Sequence, residues 1–182
     1  MKQRSAPGGP ELSRPLYIEK ISPNGVEEII VAGEKERAGL ARRFGLTGLP
    51  KLEAQLTVMP ARAVMFEVKG RMQADVVQQC VVTLEPLPAH IEQDIDVLFA
   101  PSEFLEPGAG AAHVDADDEE TEAIIGGIID LGELVAQYLG TALDPYPRKP
   151  GLAFVAAEYG DKRPDSPFTK LTDLTKKPPD KG

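Results

Sequence analysis

From Lys51 to Val58 the chain reads KLEAQLTV, with Leu52, Ala54, Leu56 and Val58 alternating against Lys51, Glu53, Gln55 and Thr57. A period of two sends successive side chains to opposite faces, so this run predicts a strand with one buried and one wet face. After Met59-Pro60 the rhythm resumes. Val64, Phe66 and Val68, then Met72, Ala74 and Val76, are opposed by Glu67, Lys69, Arg71, Gln73 and Asp75. The two runs predict an antiparallel pair. Gly70 interrupts the second, where a missing Cβ would permit a bend or bulge. The alternation slips at Val76-Val77, so QQCVV reads either as a new register or as a strand buried on both faces. HIEQDIDVLF restores it, with Ile91, Ile95, Val97 and Phe99 in phase.

Upstream, PLYIEKI and VEEIIVA flank SPNG, in which Asn24 and Gly25 can take positive φ; the arrangement predicts a hairpin. EKERAGLARRF then places Leu40, Ala41 and Phe44 on one helical face and meets Gly45 as a C-terminal cap. Downstream, IIDLGELVAQYLGTALDPYP predicts a second helix. Asp130 is its N-cap, Glu133 has capping-box spacing, and Ile129 can staple onto Leu134. Leu131, Leu134, Val135, Tyr138, Leu139 and Ala142 form its apolar stripe, and Pro145 ends it. Four to six strands with two short helices make an α+β fold: a curved, mainly antiparallel sheet, open or closing part-way into a half-barrel.

Composition changes the picture at the ends and in the middle. Residues 1–14 and 161–182 are polar and rich in Pro, Gly or Lys, which predicts a disordered N-terminal tail and an extended C-terminal one. One α+β domain is expected over 15–160. Within it, residues 101–122 contain small and acidic side chains that bury too little apolar area to offset ordering entropy, the signature of a long mobile loop. The net charge of -9 is uneven. Residues 72–147 hold 16 Asp or Glu and no Lys or Arg, between ends of +4 and +3. No apolar run is long enough for a membrane span, and the start lacks the apolar core of a secretory signal, so a cytoplasmic protein is expected. The single cysteine permits no internal disulfide.

The stretches GRMQADVVQQCVVTLEPL and IIDLGELVAQYLGTALDPYPR, separated by an acidic segment and followed by SPFTKL, together resemble the YceD family over roughly residues 15–175. That family is tied to accumulation of large-subunit (23S) ribosomal RNA in bacteria and plastids. The resemblance implies a non-enzymatic factor in large-subunit biogenesis, with assembly precursors, ribosomal RNA or basic ribosomal proteins as partners. The marks that carry it are Gly70, Cys80, Leu84, Pro86, Asp130, Leu131, Pro145, Pro167 and Phe168, read as structural positions. Much of the family shows Cys-x-x-Cys-Leu-x-Pro where this chain has Cys80, Leu84 and Pro86. Thr83 replaces the second cysteine.

Candidate chemistry is sparse. Cys80 without a second thiol at the metal spacing, and with His90 and His113 as the only imidazoles, cannot build a four-ligand zinc site within one chain. The apolar neighbours Val81 and Val82 predict a raised thiol pKa and a buried structural Cys, against the alternatives of a redox or partner contact or a nucleophile. GAGAAH lacks the lysine and the strand-to-helix setting of a phosphate loop, and DADDEETE lacks the glycine and spacing of an EF-hand. No catalytic, cofactor or metal residues are assigned, and no small-molecule substrate or membrane is expected. Asp115, Asp117, Asp118, Glu119 and Glu120 form either a solvated loop or an arm for a basic partner. Arg37, Arg42 and Arg43 are the one compact basic cluster, either a solvated helix face or a weak phosphate contact. The rival readings are a metal-dependent nuclease using the acidic loop and an acidic chaperone for basic ribosomal proteins.

Overall fold

The computed structural model describes residues 9–62, 64–105 and 121–151. The chain divides into two compact units, 1–149 and 150–182, and every element named here belongs to the first. In chain order these are β1 (Pro15–Tyr17), β2 (Val26–Val31), α1 (Glu34–Arg43), β3 (Gly48–Pro60), β4 (Phe66–Gln79), β5 (Pro86–Pro101), β6 (Thr121–Ile124), β7 (Ile128–Asp130) and α2 (Leu131–Ala142). The strands make an open five-stranded sheet in the order β2-β3-β4-β5-β6 and a two-stranded sheet of β1 and β7. All pairings are antiparallel except β5 with β6. The class is α+β, with a sheet that does not close.

The alternating runs behave as their period requires. Leu52, Ala54, Leu56 and Val58 of β3 and Val68, Met72, Ala74 and Val76 of β4 are buried on one face, joined by Ile95, Val97 and Phe99 of β5. Removal of the larger of these side chains, Leu, Val, Ile, Met and Phe, from water contributes roughly 1.5–3 kcal/mol each, and this face carries a large share of the core. α1 packs against β3, bringing Leu40 inward, and α2 covers β4 and β5 with Leu131, Leu134, Val135 and Leu139. Val64 lies outside the run: it is exposed, and the strand begins at Phe66.

Several local expectations give way to tertiary pairing. β1 and β2 do not form a hairpin. A 3-10 turn at Ile18–Lys20 redirects the chain, β1 pairs with β7, and β2 pairs with β3 so that Ile30 reaches the inner face opposite Ala54. Of the two turn residues, Gly25 takes positive φ and Asn24 does not. Gly70 sits in unbroken register between Leu56 and Ile95, so no bulge occurs there. Its reason is close approach instead, because a Cβ would collide with the backbone carbonyl of Gln55. QQCVV is neither a shifted nor a doubly buried strand: β4 stops at Gln79, and Cys80 opens the turn to β5.

The acidic stretch is interrupted as well. Ser102–Phe104 is a 3-10 turn and Thr121–Ile124 is a strand, because Ala123 and Ile124 pair beside Ala100 and Pro101 and Ile124 is buried. Within the stretch expected as an N-terminal tail, residues 1–8 lie outside the described residues, but Leu12 is wholly buried. Asp130 explains the anchoring. As N-cap of α2 it accepts from the N–H groups of Gly132 (3.0 Å) and Glu133 (3.2 Å), and it also accepts from the Arg14 N–H (2.7 Å) and the Ser13 hydroxyl (2.6 Å). One carboxylate therefore ties the start of the helix to the segment before β1. Glu133 does not close a capping box; it reaches Arg43 instead.

Candidate functional site

The face of the five-stranded sheet opposite the core is built from the polar half of each alternation. β4 contributes Glu67, Lys69, Arg71, Gln73 and Asp75, and its register sets these beside Asp96, Asp94, Glu92 and His90 of β5. β3 adds Lys51 and Glu53, and β2 adds Glu27 with the exposed Ile29 and Val31. Three cationic side chains, Lys51, Lys69 and Arg71, thus share the face with seven carboxylates.

Each of those cations is already engaged. Lys51 bonds Glu53 at 2.9 Å, Lys69 bonds Glu67 at 2.7 Å and approaches Asp96 at 3.6 Å, and Arg71 meets Asp94 at 2.7 Å. The hydrogen bonds to Glu53, Glu67 and Asp94 respectively hold the three cations above their ordinary pKa values. His90 lies 2.6 Å from Asp75 and 3.6 Å from Glu92, and the hydrogen bond to Asp75 raises its pKa despite some desolvation. These pairs are exposed, so they add little to stability. Their effect is on the field: the face is acidic, and its positive charges are locally neutralised.

The α1 arginines do not act as one cluster. Arg43 turns toward α2, where Glu133 takes two hydrogen bonds (2.7 and 3.0 Å) and Glu11 a third (3.3 Å). The Glu133 bonds, with the charge of both acids, push its pKa further up. Arg43 is a strut between α1, α2 and the N-terminal segment. Arg37 and Arg42 instead line a shallow open groove with Glu34, Leu46 and Thr47, and both donate to backbone carbonyls, of Ala32 and Ala38. Arg14, which the sequence pattern did not single out, forms a two-point pair with Glu36 at 2.8 and 3.0 Å. That bond lowers the Glu36 pKa, and Glu36 in turn accepts from the Gly33 N–H that starts α1.

The Cys80 turn is a small hydrogen-bonded loop. Cys80 N–H donates to the Glu85 carbonyl and Leu84 N–H to the Cys80 carbonyl, both at 2.9 Å. Leu84 takes φ 60, a conformation that a side chain adopts at some cost. Val81 N–H donates to Pro147 O, and Lys149 bonds Glu85 at 2.9 Å, so the turn also fixes the chain after α2. Cys80 is buried as expected, but its thiol is not raised. Hydrogen bonds from Thr83, including its N–H at 3.4 Å, outweigh desolvation and lower the pKa to about 6. The turn replaces the apolar strand on which the opposite expectation rested.

Asp115, Asp117, Asp118, Glu119 and Glu120, like Pro167 and Phe168, lie outside the described residues. Among the described residues no group of three His, Cys, Asp or Glu side chains is arranged to hold a metal ion, and no helix is long and apolar enough to cross a membrane. The alternation in β4 marks Lys69, Arg71 and Gln73 as polar-face residues but does not identify their partners. Glu92, Asp94 and Asp96 were legible in IEQDIDV as acids at alternate positions, and register alone sets Asp94 and Asp96 against the β4 cations and Glu92 against Gln73.

No curated protein and no solved structure matches the chain. Residues 68–175 match the family model described as large ribosomal RNA subunit accumulation protein YceD. The match runs from β4 through the Cys80 turn, β5 and α2 and onward to residue 175, and the chain belongs to the YceD family, whose name ties it to large-subunit ribosomal RNA.

Proposed function

We propose that this protein is a non-enzymatic, cytoplasmic factor in large ribosomal subunit biogenesis that supports accumulation of 23S ribosomal RNA chiefly through contacts to protein. Family membership supplies the process. The observation that favours protein over bare RNA as the direct contact is the neutralised outer face, where Lys51, Lys69 and Arg71 are each bound to a carboxylate and acids outnumber bases. Affinity for nucleic acid grows with the number of phosphates that free cations neutralise. Arg43 is committed to Glu133, so the α1 group offers at most Arg37 and Arg42. Proteins that hold ribosomal RNA are strongly cationic, and an acidic sheet attracts them at long range. The run Asp115 to Glu120 adds carboxylates of the same sign.

Affinity purification of the tagged protein at moderate salt, with and without ribonuclease, tests this reading. Recovery of large-subunit ribosomal proteins that survives ribonuclease is expected. Recovery of ribosomal RNA alone, lost on ribonuclease treatment and on substitution of Arg37 and Arg42, would reverse the preference. Metal-dependent RNA cleavage by the purified protein, abolished by Ala at Asp115, Asp117, Asp118 and Glu119, would reinstate the nuclease.

A further inference from the structure

Among the described residues β2 ends the five-stranded sheet, and none of the described strands pairs with its far side. The register fixes which backbone groups face outward. Ala32 N–H donates to Leu52 O, and Ala32 stands opposite Leu52 in the continuation of the β2–β3 ladder. Hydrogen-bonded pairs alternate in an antiparallel ladder, so residues 26, 28 and 30 bond to β3 while Glu27, Ile29 and Val31 direct N–H and C=O to the free edge. Val31 O already accepts a long bond (3.4 Å) from Arg14. No hydrogen bond among the described residues takes up the outward groups of Glu27 and Ile29.

The side chains there are unusual for an edge left to water. Natural edges are blunted with charge, Pro or bulges. β2 has acids at Glu27 and Glu28, but then presents Ile29 at 74% and Val31 at 55% exposure, on the same face as Glu53. A strand laid beside β2 would meet Glu27, Ile29 and Val31 in turn on the outer face and Glu28 on the other. Its best complement carries Lys or Arg opposite the acids and a β-branched residue opposite Ile29.

We propose that the β2 edge is a docking site for an extended, Lys/Arg-bearing protein segment that joins the sheet as a sixth strand. The backbone pairs supply the affinity, Ile29 and Val31 bury an apolar contact, and the acidic sheet steers the cationic segment to the edge. The proposal rests on the protein-contact reading above and names the segment chemistry and the place of contact.

The probe is a fluorescein-labelled octapeptide of alternating Lys and Val, compared with a Glu-Val octapeptide and with the Lys-Val peptide N-methylated along one edge. Binding of the Lys-Val peptide is expected to be at least about tenfold tighter than that of either control, and to be lost to a similar degree in Ile29→Lys. Amide exchange at Glu27 and Ile29 should slow in the wild-type complex, a readout that needs no variant. Equal binding of the N-methylated peptide would overturn the proposal in favour of charge attraction alone. No binding, with exchange unchanged, would also overturn it. A homodimer in sedimentation that Ile29→Lys dissociates would give the edge to a second copy of this chain. In each of those failures, ribonuclease-resistant recovery of ribosomal proteins in the purification would leave the protein-contact reading standing.

Discussion

The two faces of the five-stranded sheet come from the same strands and differ by one residue of register. On the inner face Leu56, Met72 and Ile95 are almost fully buried, whereas on the outer face Arg71 and Asp94 form an ion pair with more than half of each side chain exposed. Burial of apolar area dominates folding, and exposed ion pairs are nearly neutral for it. The inner face therefore determines whether the protein folds, and the outer face is free to be composed for something else. The proposed protein contact would draw on its excess of carboxylates.

Substitutions that break the contrast should rank accordingly. Leu56→Ala empties a site closed on all sides and is expected to cost about 2–5 kcal/mol in chemical denaturation. A smaller loss would mean that the sheet interior can collapse onto the gap. Gly70→Ala, directly opposite Leu56, forces a Cβ onto the Gln55 carbonyl and should cost about 1–3 kcal/mol by overpacking. Near-neutral behaviour there would show that β3 and β4 can part without penalty.

Asp130→Ala removes the cap of α2 and the anchor of Ser13 and Arg14 together, with an expected loss of about 1–2 kcal/mol. Faster amide exchange at Arg14 should accompany it, since that N–H loses its acceptor. Arg71→Ala lies at the other end of the scale and should change stability by less than about 0.5 kcal/mol. A larger loss would mean that the outer face is part of the folding machinery after all.

The last contrast is read through pH. The Cys80 thiol falls from its ordinary 9.0 to about 6 in the folded protein. A depressed pKa favours the folded state fully above the ordinary value, and that contribution disappears as pH falls from 9.0 through about 6. Stability should therefore rise with pH across this window, and Cys80→Ala should flatten the rise. His90 runs the other way: its pKa is raised by Asp75, so its contribution is complete below the ordinary 6.5 and fades as pH rises through the folded value. The His90→Gln variant should show the Cys80 slope more steeply. If the slope of the wild-type protein is unchanged in Cys80→Ala, the Thr83 hydrogen bonds do not hold a thiolate.

How far the sequence went depends on the range of the interaction that decides each feature. β3, β4 and β5 were legible because the period of two is a local record of which face is buried. The two helices were legible through Gly45 and Asp130, whose caps act within one turn. The candidate site was only half legible. Arg37, Arg42 and Arg43 read as one group by spacing, but α2 and Glu11 claim Arg43 and leave the other two. Glu92, Asp94 and Asp96 carried a readable alternation whose meaning depended on the partner strand.

By itself the sequence determined the alternation of the three long strands, the caps of both helices, the acidic middle of the chain and the marks of its family. Tertiary structure alone decided that β1 leaves β2 for β7, that β6 lies parallel to β5, and that Leu12 is buried. It also decided that Cys80 sits in a turn that lowers its pKa, and that Ile29 and Val31 lie on an edge that no described strand covers. The physical reason is one of distance along the chain. Periodicity and capping are set by residues within a few positions, whereas partner strands, buried tails and free edges are fixed by contacts between segments that no local pattern specifies.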